Sequence, residues 1–327
     1  MTLHPAVIFL GGLVVLVVGA ELLLRGSTRI AAMLGIKPIL IGLTVVAVGT
    51  SAPELAVGVT AVLEGKGQLA AGNIAGTNIF NILFILGLSA AIRPLPLQLQ
   101  ITRLDVPVMI AAAVALFIMA LDGVISRTEG LLLFAAALAY TAALIRLSRR
   151  ESAAMKREFA EEFSPQALEA GRGLRRGSWN ALLLLVGIGL TILGADLMVG
   201  GAVSIARVFG VSDAIIGLTI VAVGTSAPEL ATTVVATMKD ERDVAIGNLI
   251  GSSISNILVI LGLTCVIAPA GVDVSKDVLR IDLPLAAAVA IACWPVFRSD
   301  RMVSRREGIT FVSLYVAYMT TLIVLRT

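Results

Sequence analysis

One stretch of this chain occurs twice. Residues 41–56 read Ile-Gly-Leu-Thr-Val-Val-Ala-Val-Gly-Thr-Ser-Ala-Pro-Glu-Leu-Ala, and residues 216–231 repeat them with Ile220 in place of Val45 as the only change. Each copy brings glycine, proline, hydroxyls and a carboxylate into a long apolar run, a combination that is costly in lipid and is kept there for function. The copies lie 175 residues apart, and the same offset pairs the next block. Gly72-Asn73-Ile74-Ala75-Gly76-Thr77-Asn78-Ile79-Phe80-Asn81 matches Gly247-Asn248-Leu249-Ile250-Gly251-Ser252-Ser253-Ile254-Ser255-Asn256. Upstream, Gly19-Ala20-Glu21-Leu22 matches Gly194-Ala195-Asp196-Leu197; downstream, with small insertions, Arg103-Leu104-Asp105 matches Arg280-Ile281-Asp282 and Glu129-Gly130 matches Glu307-Gly308. The chain is a duplicated unit, and the period settles the architecture before any local reading.

That unit is built for a bilayer. Hydrophobic residues make up 58% of the chain and charged ones only 14%, against about 25% charged in soluble domains, and the mean hydropathy is +0.99. A helix needs roughly 20 apolar residues to span the hydrocarbon core, and ten segments meet that requirement: 5–24, 38–63, 69–92, 104–121 and 128–147, then 179–199, 212–237, 243–267, 280–297 and 306–325. The expected fold is therefore an all-α multi-pass membrane protein. Five spans per repeat, an odd number, make the second copy enter from the opposite side, so the two halves are inverted, as in many secondary transporters. The division is 1–147 for the first repeat, 148–178 for a hydrophilic linker and 179–327 for the second repeat.

Lysine and arginine give the orientation. With the N-terminus outside, most of the 25 basic residues fall in inside loops, among them Arg25, Arg29, Arg93, Lys239, Arg242, Arg301 and the linker cluster. The positive-inside rule thus places both termini outside and the linker in the cytoplasm of a cell-membrane protein. Within the linker a helix is expected over Glu151–Phe163, ended by Ser164-Pro165, in an otherwise solvated connection. No basic residue precedes the first apolar run, so it reads as a retained span rather than a cleaved leader.

Composition also excludes functions. His4 is the only histidine, and Cys265 and Cys293 have no ligand-type spacing, so histidine-based metal centres, a Ser-His-Asp triad and a disulfide framework are all ruled out. No basic run interleaved with aromatics suggests nucleic acid. Neither an enzyme activity nor a cofactor is expected, and no obligatory protein partner beyond the lipid bilayer.

What remains is oxygen chemistry at membrane depth. A continuous helix over 38–63 would be about 39 Å long, and Pro53 lacks an N–H and clashes with the carbonyl of Gly49. A break at Gly49-Thr50-Ser51 follows, with carbonyls near Ala47 and Val48 losing helical partners; Pro228 does the same near Ala222 and Val223. Non-helical backbone at that depth is tolerated only against a cavity or a ligand. Glu54 follows Thr50 by four residues and Ser51 by three, so all three share a face. Inversion puts Glu229, Thr225 and Ser226 opposite. Thr77 with Asn81, and Ser252 with Asn256, share faces of the next segments. Two carboxylates, hydroxyls, amides and carbonyls, with no adjacent Lys or Arg, form a ligand set for a hard cation such as Ca²⁺ or Na⁺. Gly42, Gly72, Gly76, Gly217, Gly247 and Gly251 read as close helix packing. Thr44 and Thr219 either bond their own backbone or join the site, and Asn73 and Asn248 are either interhelical glue or site members.

These motifs resemble the sodium/calcium exchanger family of the cation/calcium antiporter superfamily, in both halves of the chain. The resemblance implies ten helices in inverted five-helix repeats with broken segments two and seven, and ion sites between segments two, three, seven and eight. It implies ligation by Glu54 and Glu229 through carboxylates, by Thr50, Ser51, Thr225, Ser226, Thr77 and Ser252 through hydroxyls or carbonyls, by Ala47 and Ala222 through carbonyls, and by Asn81 and Asn256 through amides. It also implies that segments one and six slide across the core. Some relatives of that family carry Asp at the position of Asn256; its absence here argues against potassium co-transport. The function expected is Na⁺/Ca²⁺ antiport by alternating access, with H⁺-coupled divalent-cation antiport as the alternative and a cation channel as a remote one.

Overall fold

The computed structural model describes residues 4–162, 174–210, 220, 222–298 and 301–326. Helix α1 spans Pro5–Leu34, α2 Pro38–Thr50, α3 Ala52–Leu63, α4 Gly67–Ile92, α5 Ile101–Asp122, α6 Arg127–Glu162 and α7 Leu174–Val208. A short turn at Ala222–Gly224 leads into α8 (Ala227–Met238), followed by α9 (Arg242–Ile267), α10 (Val278–Arg298) and α11 (Arg305–Arg326). Among the described residues, eight helices are long and apolar enough to cross a membrane, and α2 with α3 adds a ninth span bent by 42°. The start of the remaining span, expected over 212–237, falls at 211–219, outside the described residues, as do Gly217, Thr219 and Ser164-Pro165.

Besides α6, two helices outrun their expected ends. α1 reaches Leu34 and α7 reaches Val208, ten and nine residues past the apolar runs read from sequence. The reason is their mutual packing. Gly12, Gly19 and Gly26 on α1, and Gly187, Gly194 and Gly201 on α7, recur every seven residues, and each lies against the backbone of the other helix. A methyl on Gly19 would stand 2.5 Å from Thr191 N, one on Gly26 2.6 Å from Leu184 N, and one on Gly201 2.6 Å from Phe9 N. The helices are antiparallel, and small residues let their backbones touch along this seam. Interaction continues beyond the apolar runs because Glu21 is paired by Arg25 at 2.5 Å and by Lys239 at the end of α8.

The interior belongs to α4 and α9, whose apolar windows are 78% buried, against 22% for α6 and α11. Outer helices reach them through glycine: a methyl on Gly308 would meet Gly87 O at 2.5 Å, and one on Gly130 would meet Cys265 Cβ at 2.5 Å. Gly42, Gly247 and Gly251 pack as expected, the last against Leu43 O of α2 at 2.6 Å. For Gly72 and Gly76 the packing is not tested: among the described residues a methyl on Gly72 meets only Val278 Cγ2 at 3.4 Å, and one on Gly76 meets nothing within 4 Å. By the repeat, the neighbour of Gly76 would be Leu218, which lies outside the described residues.

Small devices recur in both halves. Ser126 and Glu129 cap α6 reciprocally, with Ser126 N donating to Glu129 Oε2 at 2.8 Å and Glu129 N to Ser126 Oγ at 3.3 Å; Ser304 and Glu307 do the same for α11. Two-residue strands clasp the loops at each end, β1 (Leu95–Pro96) with β4 (Met302–Val303), and β2 (Val124–Ile125) with β3 (Val272–Asp273), all antiparallel. Each clasp joins loops that the basic-residue count assigns to a common side. The expected linker helix is no separate element: α6 runs on to Glu162, because no Gly or Pro interrupts residues 148–162.

Candidate cation site

The bend between α2 and α3 falls at Ser51, whose φ −85° and ψ 12° are neither helical nor extended. Ser226 repeats it at φ −88° and ψ 7°, just before α8. Proline follows two residues later in each case, so the missing N–H interrupts the ladder where the sequence places the break. One expectation fails in detail. The Ala47 carbonyl keeps a helical partner, accepting Ser51 N–H at 3.1 Å. It is drawn toward the site by its second lone pair instead, with Thr50 Oγ1 at 3.3 Å and Ser252 Oγ at 3.4 Å. The break also sets Glu54 and Glu229 in the first turns of α3 and α8, where the positive end of the helix dipole favours negative charge.

The two halves meet by exchanging hydroxyls. Ser51 Oγ of the first repeat donates to Glu229 Oε1 at 2.7 Å, and Ser226 Oγ of the second donates toward Glu54 Oε1 at 3.3 Å. Thr77 Oγ1 on α4 stands 3.4 Å from Ser226 Oγ, and Ser252 Oγ on α9 lies 3.5 Å from Glu229 Oε1. Both carboxylates are 0% exposed. No ion pair among the described residues involves either of them. Among the described residues, each keeps one oxygen, Oε2, without a close hydrogen-bond partner, and both amide atoms of Asn81 and Oδ1 of Asn256 are in the same state. Buried polar atoms left in that state are expensive, and a collection of acceptors with two formal negative charges is what a hard cation satisfies. Among the described residues no three His, Cys, Asp or Glu side chains cluster; the other oxygens beside the two carboxylates are hydroxyls, amides and carbonyls.

Of the residues singled out from sequence, Glu54, Glu229, Ser51, Ser226, Thr77, Ser252, Thr50 and Ala47 are joined by direct hydrogen bonds. Asn81 and Asn256 are fully buried at the start of wide, π-helical turns, Phe80–Leu86 and Asn256–Leu261. Thr225 occupies the turn before Ser226, and Ala222 opens the short helix Ala222–Gly224. The open alternatives divide. Thr44 bonds its own helix, at Leu40 O, 2.6 Å. Asn248 faces the site, its Oδ1 accepting from Thr50 Oγ1 at 3.1 Å.

Sequence reading missed two residues. Asn78 receives Asn256 Nδ2 at its Oδ1, 3.3 Å, and donates to Ser253 O at 3.2 Å. Its repeat partner is Ser253 itself, so α4 and α9 cross at equivalent positions, a signal the alignment of the two blocks already held. Thr233 accepts Asn248 Nδ2 at 3.1 Å. Its partner in the first repeat is Gly58, just past the near-identical stretch, where most positions differ between the repeats, so the sequence held no clear signal for it.

A family model described as "Sodium/calcium exchanger protein" matches residues 4–146 and 179–324, both repeats without the linker. The chain is similar to CaxA of Alkalimonas amylolytica, which carries "antiporter" in its name, at 34% identity over 97% of this chain and 98% of the relative. It is similar to the sodium/calcium exchanger MaX1 of Methanosarcina acetivorans at 30% identity, covering 96% and 97%. Its fold is similar to that of the sodium-calcium exchanger NCX_Mj in a crystal soaked with Na⁺ and no Ca²⁺: TM-score 0.82, 26% identity, 97% and 98% covered.

Proposed function

Given that this chain belongs to the sodium/calcium exchanger protein family, and is accordingly a multi-pass membrane antiporter of calcium and a second cation, we propose that sodium is that second cation. Calcium leaves as sodium enters, by alternating access to the cavity between α2–α3, α4, α8 and α9. The reading rests on one observation above all: Glu54 and Glu229 are fully buried, each hydrogen-bonded to a serine of the opposite repeat and, among the described residues, without a cationic partner. Two such charges are balanced by one Ca²⁺ or by two Na⁺, so the two loads compete for the same oxygens.

The ligands in this reading are Glu54, Glu229, Thr50, Ser51, Thr225, Ser226, Thr77, Ser252, Asn81 and Asn256, with the carbonyls of Ala47 and Ala222. An empty cavity carries two unbalanced charges, which are costly to close within an apolar surround. A loaded cavity is neutral and can be occluded, which makes the protein an exchanger rather than a leak. Asn at both 81 and 256 leaves two carboxylates and no place for potassium coupling. More than two Na⁺ per Ca²⁺ makes the cycle electrogenic. Both termini lie outside, and the linker 148–178 faces the cytoplasm.

The experiment is calcium flux in proteoliposomes against imposed Na⁺, K⁺ and H⁺ gradients in turn. A sodium gradient alone should drive calcium uphill. Flux driven by a pH gradient in the absence of sodium selects the proton-coupled antiporter instead, and single-channel currents would select a pore.

A further inference from the structure

The repeats are unequal at several polar positions beside the site, and one of them, Thr233 against Gly58, changes the bonding of an asparagine that both repeats carry. Asn248 of α9 and Asn73 of α4 are repeat partners. Asn248 is fully buried, takes the Thr50 hydroxyl proton on Oδ1 at 3.1 Å and donates from Nδ2 to Thr233 Oγ1 at 3.1 Å. Thr233 follows Glu229 by four residues on α8, so it stands on the carboxylate's face one turn along. In the first repeat its place is Gly58, where an added methyl would meet Thr264 Oγ1 at 3.0 Å. That hydroxyl is already committed to Ile260 O at 2.8 Å. Among the described residues, Asn73 and Thr225, the repeat counterparts of Asn248 and Thr50, are not hydrogen-bonded to one another, and Asn73 Nδ2 has no partner.

A hydroxyl has one proton and two lone pairs. To ligate a cation it must turn a lone pair to the ion and its proton elsewhere. Besides the Glu229 carboxylate, Thr50 has two acceptors within reach, Asn248 Oδ1 at 3.1 Å and Ala47 O at 3.3 Å. A proton sent to Ala47 O would occupy a carbonyl that the ion needs; one sent to Asn248 leaves that carbonyl and the Thr50 lone pairs available. Asn248 can accept only while its oxygen, not its NH₂, faces Thr50; as the structure sets it, the NH₂ is turned away from Thr50 and donates to the Thr233 hydroxyl.

We infer that Thr233 and Asn248 are positioning residues: a relay that presets the Thr50 hydroxyl as a cation ligand, and whose absence at Gly58 and Asn73 leaves the Thr225 end of the cavity to reorganise as the ion arrives. The inference rests on the reading of Thr50, Ala47 and Thr225 as ligands. It makes the two ends of a pseudo-symmetric cavity differ in sodium affinity through residues that touch no ion.

The test is sodium-driven calcium flux in proteoliposomes of the full chain, with sodium titrated to saturation. Thr233→Val keeps the shape and removes the hydroxyl. It should raise the half-activating sodium concentration about three- to tenfold, the effect of roughly one buried hydrogen bond, while saturating sodium restores the maximal rate. Thr233→Ala should shift it likewise, and serves if the valine variant fails to fold. Thr233→Ser should return to within about twofold of wild type, and Asn73→Ala should stay within that range. An unshifted Thr233→Val or Thr233→Ala, or a serine variant no better than valine, overturns the relay. Thr50→Ala with unaltered sodium dependence overturns the ligand reading beneath it, and a wild-type protein without sodium dependence overturns both.

Discussion

Replacing Glu54 by glutamine keeps the length and the oxygen of the side chain and removes one charge. Glu54 and Glu229 are both fully buried with no basic partner among the described residues, so a site holding Ca²⁺ changes from neutral to a net charge of one. An unbalanced charge at the centre of a membrane-spanning segment costs about 2.5–3.5 kcal/mol on insertion scales. At about 1.4 kcal/mol per decade, calcium affinity should fall about a hundredfold. Glu229→Gln should cost about the same, because each carboxylate supplies half of the balance and each is held by one serine of the opposite repeat. Sodium should suffer less, since one Na⁺ neutralises the remaining carboxylate. The assay is equilibrium binding of radioactive calcium to purified protein, confirmed to be folded by size-exclusion chromatography. Calcium affinity within about threefold of wild type in either variant would refute the charge-balance reasoning.

Other parts of the structure make predictions of their own. Gly19→Val should open the α1–α7 seam, where even a methyl would stand 2.5 Å from Thr191 N, and lower stability by about 1–3 kcal/mol or more, the usual range for overpacking. Gly11→Ala, with nothing within 4 Å, should be close to neutral in the same thermal-unfolding measurement in detergent. Tyr140→Phe removes the hydroxyl that donates to buried Asp105 at 2.9 Å, and Tyr318→Phe the one that donates to Asp282 at 2.8 Å. Each should cost about 1–3 kcal/mol through a weakened buried carboxylate bond, read as a drop in Tm, with sodium half-activation unchanged. Ser304→Ala breaks the reciprocal cap of α11 and should cost about 1 kcal/mol.

Much of the site was legible because duplication writes it twice. A proline four residues past a glycine, a carboxylate beside it and the same block 175 residues later gave the bend, the buried acids and their inversion, and the structure joins them through Ser51 and Ser226. Harder to read was whatever depends on how the repeats cross. The bond between Asn78 and Asn256, and the relay through Thr233, are set by the register of α4, α8 and α9, which no single segment's periodicity contains. Helix ends were misjudged for a different reason. Glu21 and Arg25 look like the end of a span, but their charges are paired with each other and with Lys239, and the glycine seam carries α1 onward. That seam was visible as Gly12, Gly19 and Gly26 with their repeat partners; hydropathy alone gives such residues little weight. The Ala47 carbonyl shows that a proline break need not strip a helical bond to leave an acceptor facing the neighbouring helix, because a carbonyl has a second lone pair to offer.

The central claim is that a single oxygen cavity, closed by two facing acids, holds either calcium or sodium and never both at full occupancy. It is tested most directly by equilibrium displacement of bound radioactive calcium from purified protein as sodium rises at constant ionic strength. The account predicts complete displacement, with a cooperative dependence in which at least two sodium ions replace each calcium. Calcium that stays bound at saturating sodium, or leaves in proportion to the first power of its concentration, would contradict it.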